Sequence, residues 1–282
     1  MQIATSKVKS ISILLLVIGG LCLWYFYNKS KDDWQKKTLL YSFSLKNTSH
    51  DFLHDVIFDV LLPTEIKSNQ SYQFDETLDT QLQSNTKRFV KKIPPYGTKV
   101  VSFTLEINKN NSPQLDSVDG KDYLAESQYI QIHDPSIQSL AKQLKAETPE
   151  LTAKNIYYWL INNIVSENYS PESRGALFTL NSKVGDCTEF AYLFVALART
   201  SGIPSRSVRG LYIPQQSMVV NPMDYHDWAE FYDGDHWILV DAQKQIFNDS
   251  YSDYLIINWF ADSNNETKRF NVSDERISVS FQ

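Results

Sequence analysis

Cys187, His226 and Asp241 are the residues of this chain whose types and order could support nucleophilic acyl transfer. A thiol becomes an effective nucleophile when a base takes its proton and a third group orients the base. Cys187 stands in Gly185-Asp186-Cys187-Thr188-Glu189-Phe190-Ala191. His226 opens His226-Asp227-Trp228-Ala229-Glu230, and Asp241 closes Trp237-Ile238-Leu239-Val240-Asp241. Singly, each has an ordinary structural reading: a small buried hydrophobe, a strand histidine, a turn aspartate. The case for chemistry rests on the elements that would bring them together.

Residues 188–201 read as an amphipathic helix. Phe190, Leu193, Phe194 and Leu197 fall on one apolar stripe, the i, i+3, i+4, i+7 spacing of a core-facing helix. Asp186 is a candidate N-cap, and Gly202 with Pro204 is a stop signal. Cys187 then lies in the first turn, where unpaired N–H groups and the helix dipole favour a thiolate. Its own N–H is placed to donate to an oxyanion.

His226 and Asp241 flank an expected hairpin. Ala229, Phe231, Ile238 and Val240 recur at every second position, the period of a half-buried strand. Asp233-Gly234 is a favoured two-residue turn. With that turn Tyr232 pairs with Asp235, and His226 comes directly opposite Asp241 on one face. A one-residue change of register would separate them.

These segments resemble the transglutaminase-like superfamily, whose catalytic core has a papain-like arrangement. The resemblance rests on the Cys187 segment, on Ala196-Leu197-Ala198-Arg199, and on Gly202-Ile203-Pro204-Ser205-Arg206 with Val208 and Gly210. It continues in His226-x-Trp228-x-Glu230 and Trp237-x-x-Val240-Asp241, so that it covers roughly residues 135–245. It implies Cys187 as nucleophile, His226 as general base and acid, and Asp241 as orienter. It also implies that no metal and no cofactor takes part. One departure is visible: Ile164-Val165-Ser166 stands where many bacterial relatives carry Ile-x-Tyr. That leaves the second oxyanion donor open among Trp159, Asn163 and Asn181, with Tyr169 as a substitute aromatic.

The rest of the chain sets the context. A length of 282 residues suits two ordinary domains. The net charge of −6 and the scattered basic residues give no electrostatic case for nucleic acid. The two cysteines, Cys22 and Cys187, do not suggest a disulfide framework. Residues 1–10 form a tail. Residues 11–27 are largely apolar, and as a helix they would span roughly 25 Å, enough for a short membrane anchor. Trp24, Tyr25 and Tyr27 crowd one end as an interfacial belt would. Bulky residues beyond the run disfavour the alternative, a cleaved signal peptide. Leu21 before Cys22 fits a lipoprotein signal poorly. Lysines on both flanks lean toward a cytoplasmic body. The usual behaviour of a short N-terminal anchor favours an extracytoplasmic one, and we adopt the latter as the expectation.

Residues 38–108 alternate as a small β-sandwich would, most clearly in Val101-Ser102-Phe103-Thr104-Leu105-Glu106-Ile107. A spacer and a substrate-docking module are both open for it. Residues 109–133 read as a linker. Residues 134–282 read as the catalytic domain, with helices starting at Asp134-Pro135 and Thr148-Pro149. One further strand is expected at Tyr254-Leu255-Ile256-Ile257. The expected class is α+β: a papain-like core behind a β-sandwich and a transmembrane helix. The expected function is thiol-dependent acyl transfer on amide bonds of peptides or proteins, with water or an amine as acceptor. The partners are then a peptide or protein substrate and the membrane. The loop 214–225, with Met218, Val219 and Val220, is expected to border the cleft. The alternatives are a tethered binding protein with an inactive core, and a scaffold whose β domain carries the function.

Overall fold

The computed structural model describes residues 36–63, 70–74, 86–109, 123–170, 172–248, 251–260 and 269–282. The tail, the candidate span 11–27 and most of the expected linker lie outside these. Among the described residues no helix is long and apolar enough to cross a membrane. The class is α+β, as expected.

The sandwich begins with β1 (Lys36–Asn47), followed by β2 (Leu53–Leu61), β3 (Gln70–Phe74), β4 (Thr86–Ile93) and β5 (Thr98–Lys109). Strict alternation in β1 buries Leu39, Tyr41, Phe43 and Leu45 completely. Their partners Val101, Phe103 and Leu105 on antiparallel β5 are buried beside them. Phe58 and Val60 of β2 close the core from the opposing sheet.

The helices come next: α1 (Pro135–Leu144), α2 (Pro149–Asn163), then a short β6 (Val165–Ser166), α3 (Ala176–Ser182), β7 (Val184–Gly185) and α4 (Cys187–Thr200). The caps read from sequence are present. Asp134 accepts from the Ser136 N–H at 2.8 Å and Thr148 from the Leu151 N–H at 3.2 Å. α4 ends at Gly202, which takes the left-handed φ of +85°, and the Ile203 N–H returns to the Ala198 carbonyl. α4 is more deeply sunk than a one-faced stripe implies, since every residue from Thr188 to Arg199 is buried. Three helices cover one side, through Ile137, Ile156 and Leu180, and a sheet covers the other, through Ala229, Phe231 and Val240.

That sheet is built from β8 (Ser205–Tyr212), β10 (Tyr225–Tyr232), β11 (Trp237–Asp241), β12 (Ile246–Phe247) and β13 (Tyr254–Phe260). Its order is β12-β11-β10-β8-β13, with antiparallel neighbours. Gly210 sits in β8 between two strands. A Cβ there would lie 2.0 Å from the Leu255 carbonyl oxygen and 2.5 Å from the Trp228 ring. Neither a backbone atom nor a packed indole can yield cheaply. Gly210→Ala is therefore expected to cost about 3 kcal/mol or more, read as a lowered urea midpoint.

Three connections depart from the expected layout. β9 (Ser217–Val219), inside the expected cleft loop, leaves the catalytic sheet and pairs parallel with β1. Val220 is buried in the sandwich core rather than in a cleft wall. The chain end also returns: β14 (Phe270–Val272) pairs with β2 and β15 (Ile277–Phe281) with β1. The stretch 269–282, assigned from sequence to the catalytic domain, is thus sandwich. Its short strands form an edge of each of the two sandwich sheets. Lys37 adds a buried tie, donating to the Ile213 carbonyl and to Asp253 Oδ1.

Candidate active site

The Cys187 thiol opens α4, whose first turn is fixed by a reciprocal cap. Asp186 Oδ1 accepts from the Thr188 N–H at 2.9 Å, and Glu189 Oε2 accepts from the Asp186 N–H at 3.3 Å. Glu189 is fully buried and is held in turn by the Arg174 guanidinium at 2.7 Å. β7 runs directly into this turn and pairs with β6. Ser166, at the place of the missing aromatic, is exposed and accepts from Gln243 Nε2 at 3.0 Å.

His226 and Asp241 meet as a hydrogen-bonded pair, Nε2 to Oδ2 at 2.5 Å. The register that joins them differs from the expected one. Tyr232 pairs with Trp237, and Ala229 with Val240. The turn is Asp233–His236, because Asp233 Oδ1 accepts from the N–H groups of both Asp235 and His236 at 2.8 Å. These local bonds prevail over the two-residue turn. The shift is two residues, so side chains keep their faces, and His226 reaches Asp241 diagonally instead of directly across.

Asp241 is fully engaged. Oδ2 also accepts from the Tyr254 hydroxyl at 2.8 Å, and Oδ1 accepts from the Lys244 N–H at 3.0 Å. Burial pushes its carboxyl up, but His226 and these donors outweigh burial and hold it below the usual carboxylate range. Asp241 is the one hydrogen-bond partner of the imidazole among the described residues, and Nδ1 stays available. The ring lies among Tyr212, Trp228 and Tyr254.

The thiol is half-buried and lies against β10 at Asp227, the neighbour of His226, whose N–H points to the sulfur. Thr188 Oγ1 donates to Asp227 Oδ2 at 2.8 Å, and Arg209 Nε donates to Asp227 Oδ1 at 3.1 Å. Asp227 thus ties the first turn of α4 to both β10 and β8. Burial, then the negative charges of Asp227, Asp186 and Asp241, push the thiol up to about 12, against the help of the Asp227 N–H. The resting thiol is held in its neutral form. In a Cys22→Ser background, alkylation of Cys187 by iodoacetamide is expected to gain speed only above the ordinary thiol range of about 8.5. Asp227→Asn removes the largest of the opposing charges and is expected to move that profile to lower pH. An unmoved profile would show that the Asp227 charge does not act on the thiol.

Sequence reasoning missed Asp227 and Tyr254, which look like ordinary strand residues in their runs. It also missed the buried ion pair Arg206–Glu230 behind the site, Nε to Oε2 at 2.6 Å. None of the oxyanion candidates is seen to line the cleft at His226. Asn163 Nδ2 donates to the Trp159 carbonyl at 2.8 Å. Trp159 lies under Lys183, Tyr169 lies under Arg269, and Asn181 is exposed. A cleft of about 220 Å³ opens at His226, walled by Tyr212, Met218, Met223, Asp224 and Lys244.

Residues 138–242 match the family model of the transglutaminase-like superfamily. No curated protein matches the chain. Among solved structures, a candidate cysteine protease from Cytophaga hutchinsonii is similar at 22% identity and a TM-score of 0.57. The match covers 88% of this chain and 98% of that one, so the two share a fold. The periplasmic domain of TgpA from Pseudomonas aeruginosa is similar at 17% identity and a TM-score of 0.40, over 73% of this chain and 88% of that one.

Proposed function

We propose that this protein is a thiol-dependent acyl-transfer enzyme that acts on amide bonds of peptides or proteins through Cys187, His226 and Asp241. The observation that carries this reading is the His226–Asp241 hydrogen bond, which leaves Nδ1 free while the α4 first turn holds the thiol beside the same strand. His226 Nδ1 takes the thiol proton as Sγ attacks the carbonyl carbon. The Cys187 N–H donates to the oxyanion. The C–N bond breaks, His226 returns the proton to the leaving amine, and a thioester remains. Water then gives hydrolysis, and an amine gives cross-linking; we favour hydrolysis.

The test is trapping. Incubation with peptide amides followed by intact-mass measurement is expected to show an acyl adduct on the wild type and none on Cys187→Ala or His226→Ala. Absence of any adduct or turnover would favour a second reading, a binding protein with an inactive core. The elevated thiol is what speaks for it.

We further propose that residues 11–27 anchor the chain in a membrane with the body extracytoplasmic. Protease added to intact spheroplasts is then expected to digest the body. Protection of the body until lysis would reverse the orientation.

A further inference from the structure

Building on the acyl-transfer reading, we infer that the substrate is an extended polypeptide whose main chain adds to the outer edge of β9. β9 is joined to the sandwich on one side only. The Thr38 N–H donates to the Gln216 carbonyl at 2.7 Å, and the Val220 N–H donates to the Leu40 carbonyl at 2.9 Å. With the parallel register Thr38↔Ser217, Leu39↔Met218 and Leu40↔Val219, this places the main-chain groups of 216, 218 and 220 toward β1. Those of Ser217 and Val219 point outward. Among the described residues no strand pairs with that outer side. Among the described residues the Val219 carbonyl alone of these groups is satisfied, by Asn221 Nδ2 at 2.9 Å. The Ser217 N–H, the Ser217 carbonyl and the Val219 N–H remain as a short, solvent-facing ladder edge, and both residues are exposed.

An open edge is a template for another strand. What selects the occupant is position. Pro214, Gln215 and Met218, from the same segment, line the cleft that contains His226. A chain paired with β9 therefore runs along the lip of the cleft at His226. A small free amide could not use this edge. A folded domain could do so only through an exposed edge strand of its own. An unfolded or extended stretch can do so with little regard to side chains, because main-chain hydrogen bonds are common to all sequences. The sandwich is then neither spacer nor separate docking module: its sheet continues into the substrate.

Residue-resolved amide hydrogen exchange on the full-length Cys187→Ala chain tests this, with randomised dodecapeptides as the probe. Exchange at Ser217 and Val219 is expected to slow at least tenfold. Met218 and Val220, already bonded to β1, are expected to change little. A library N-methylated at every second amide is expected to protect less. In the active chain, Val219→Pro removes one outward N–H and no ladder bond, and is expected to lower dodecapeptide turnover at least tenfold. Protection without turnover in the active chain would keep the edge assignment and overturn the enzyme reading. Turnover without protection, or turnover indifferent to Val219→Pro, would overturn the edge assignment and keep the enzyme. Neither protection nor turnover would overturn the edge assignment. Slowing that follows protein concentration without peptide would give the edge to a second copy, and would also overturn it.

Discussion

Asp241→Asn is expected to lower the rate of acyl-adduct formation by roughly 10⁴-fold with the fold intact. The reason is the proton on the imidazole. Asp241 offers only acceptors, so the His226 proton sits on Nε2, and Nδ1 is left with its lone pair, as the proposed base requires. In the amide variant one oxygen remains. The Lys244 N–H, fixed in the main chain, needs an acceptor at the Oδ1 position. The amide nitrogen then takes the place of Oδ2 and donates to Nε2. The ring proton moves to Nδ1, where it blocks the thiol. The Tyr254 hydroxyl can rotate to accept, so packing is little disturbed. Imidazole ¹⁵N shifts should report the change from an Nε2–H to an Nδ1–H ring, and urea unfolding should show that stability is retained. An unchanged tautomer with unchanged rate would remove Asp241 from the mechanism.

Stability follows the same protonation logic. The folded Asp241 carboxyl lies below its ordinary value. Its contribution is complete above the unfolded carboxyl value of about 3.9 and fades as pH falls through the lower folded value.

The largest stability effect is expected behind the site. Glu230→Ala should cost about 3–5 kcal/mol, because it strands a buried cation. Glu230 is buried and accepts from Arg206 Nε at 2.6 Å and from the Tyr251 hydroxyl at 2.9 Å. Arg206 is itself buried, 3.8 Å from the Trp237 ring centroid and 5.0 Å from that of Trp259. Removing both charges is a different case. Arg206→Met with Glu230→Leu is expected to recover most of the loss, since neither ion is left unpaired. Urea midpoints of the wild type, Arg206→Met, Glu230→Leu and the double variant decide it, and an additive double variant would show that the pair is not coupled.

What the sequence made legible was local. The cap, apolar stripe and glycine stop of α4 lie within a few turns of one another, and each acts through its immediate neighbours. The hairpin face was legible for the same reason, since alternation survives a two-residue shift. Its register was not: whether Asp233 caps its own turn depends on hydrogen bonds that compete with the turn type favoured for Asp-Gly. The partners of β9, β14 and β15 were illegible for a different reason. Phe281 pairs with Phe43 and Met218 with Leu39, contacts between distant stretches that leave no periodic trace in a three- or five-residue strand. Tyr254 and Asp227 were read as strand residues, which they are; their second role comes from what faces them.

The return of the chain end has a consequence for how the molecule is made. β15 is the outer neighbour of β1 along Phe43–Asn47, and β9 occupies the adjoining part of the same edge. The catalytic core is thus an insertion within its host, flanked on both sides by host sequence. On the ribosome, β1 to β5 emerge early but wait for the last strand through the synthesis of the whole insertion. Domains that fold as units do so when their final segment appears, and pairing across such a separation is slow. The lip of the cleft hangs from that host edge. Cys187 and His226 are therefore synthesised before β14 and β15, the strands that complete the host sheets.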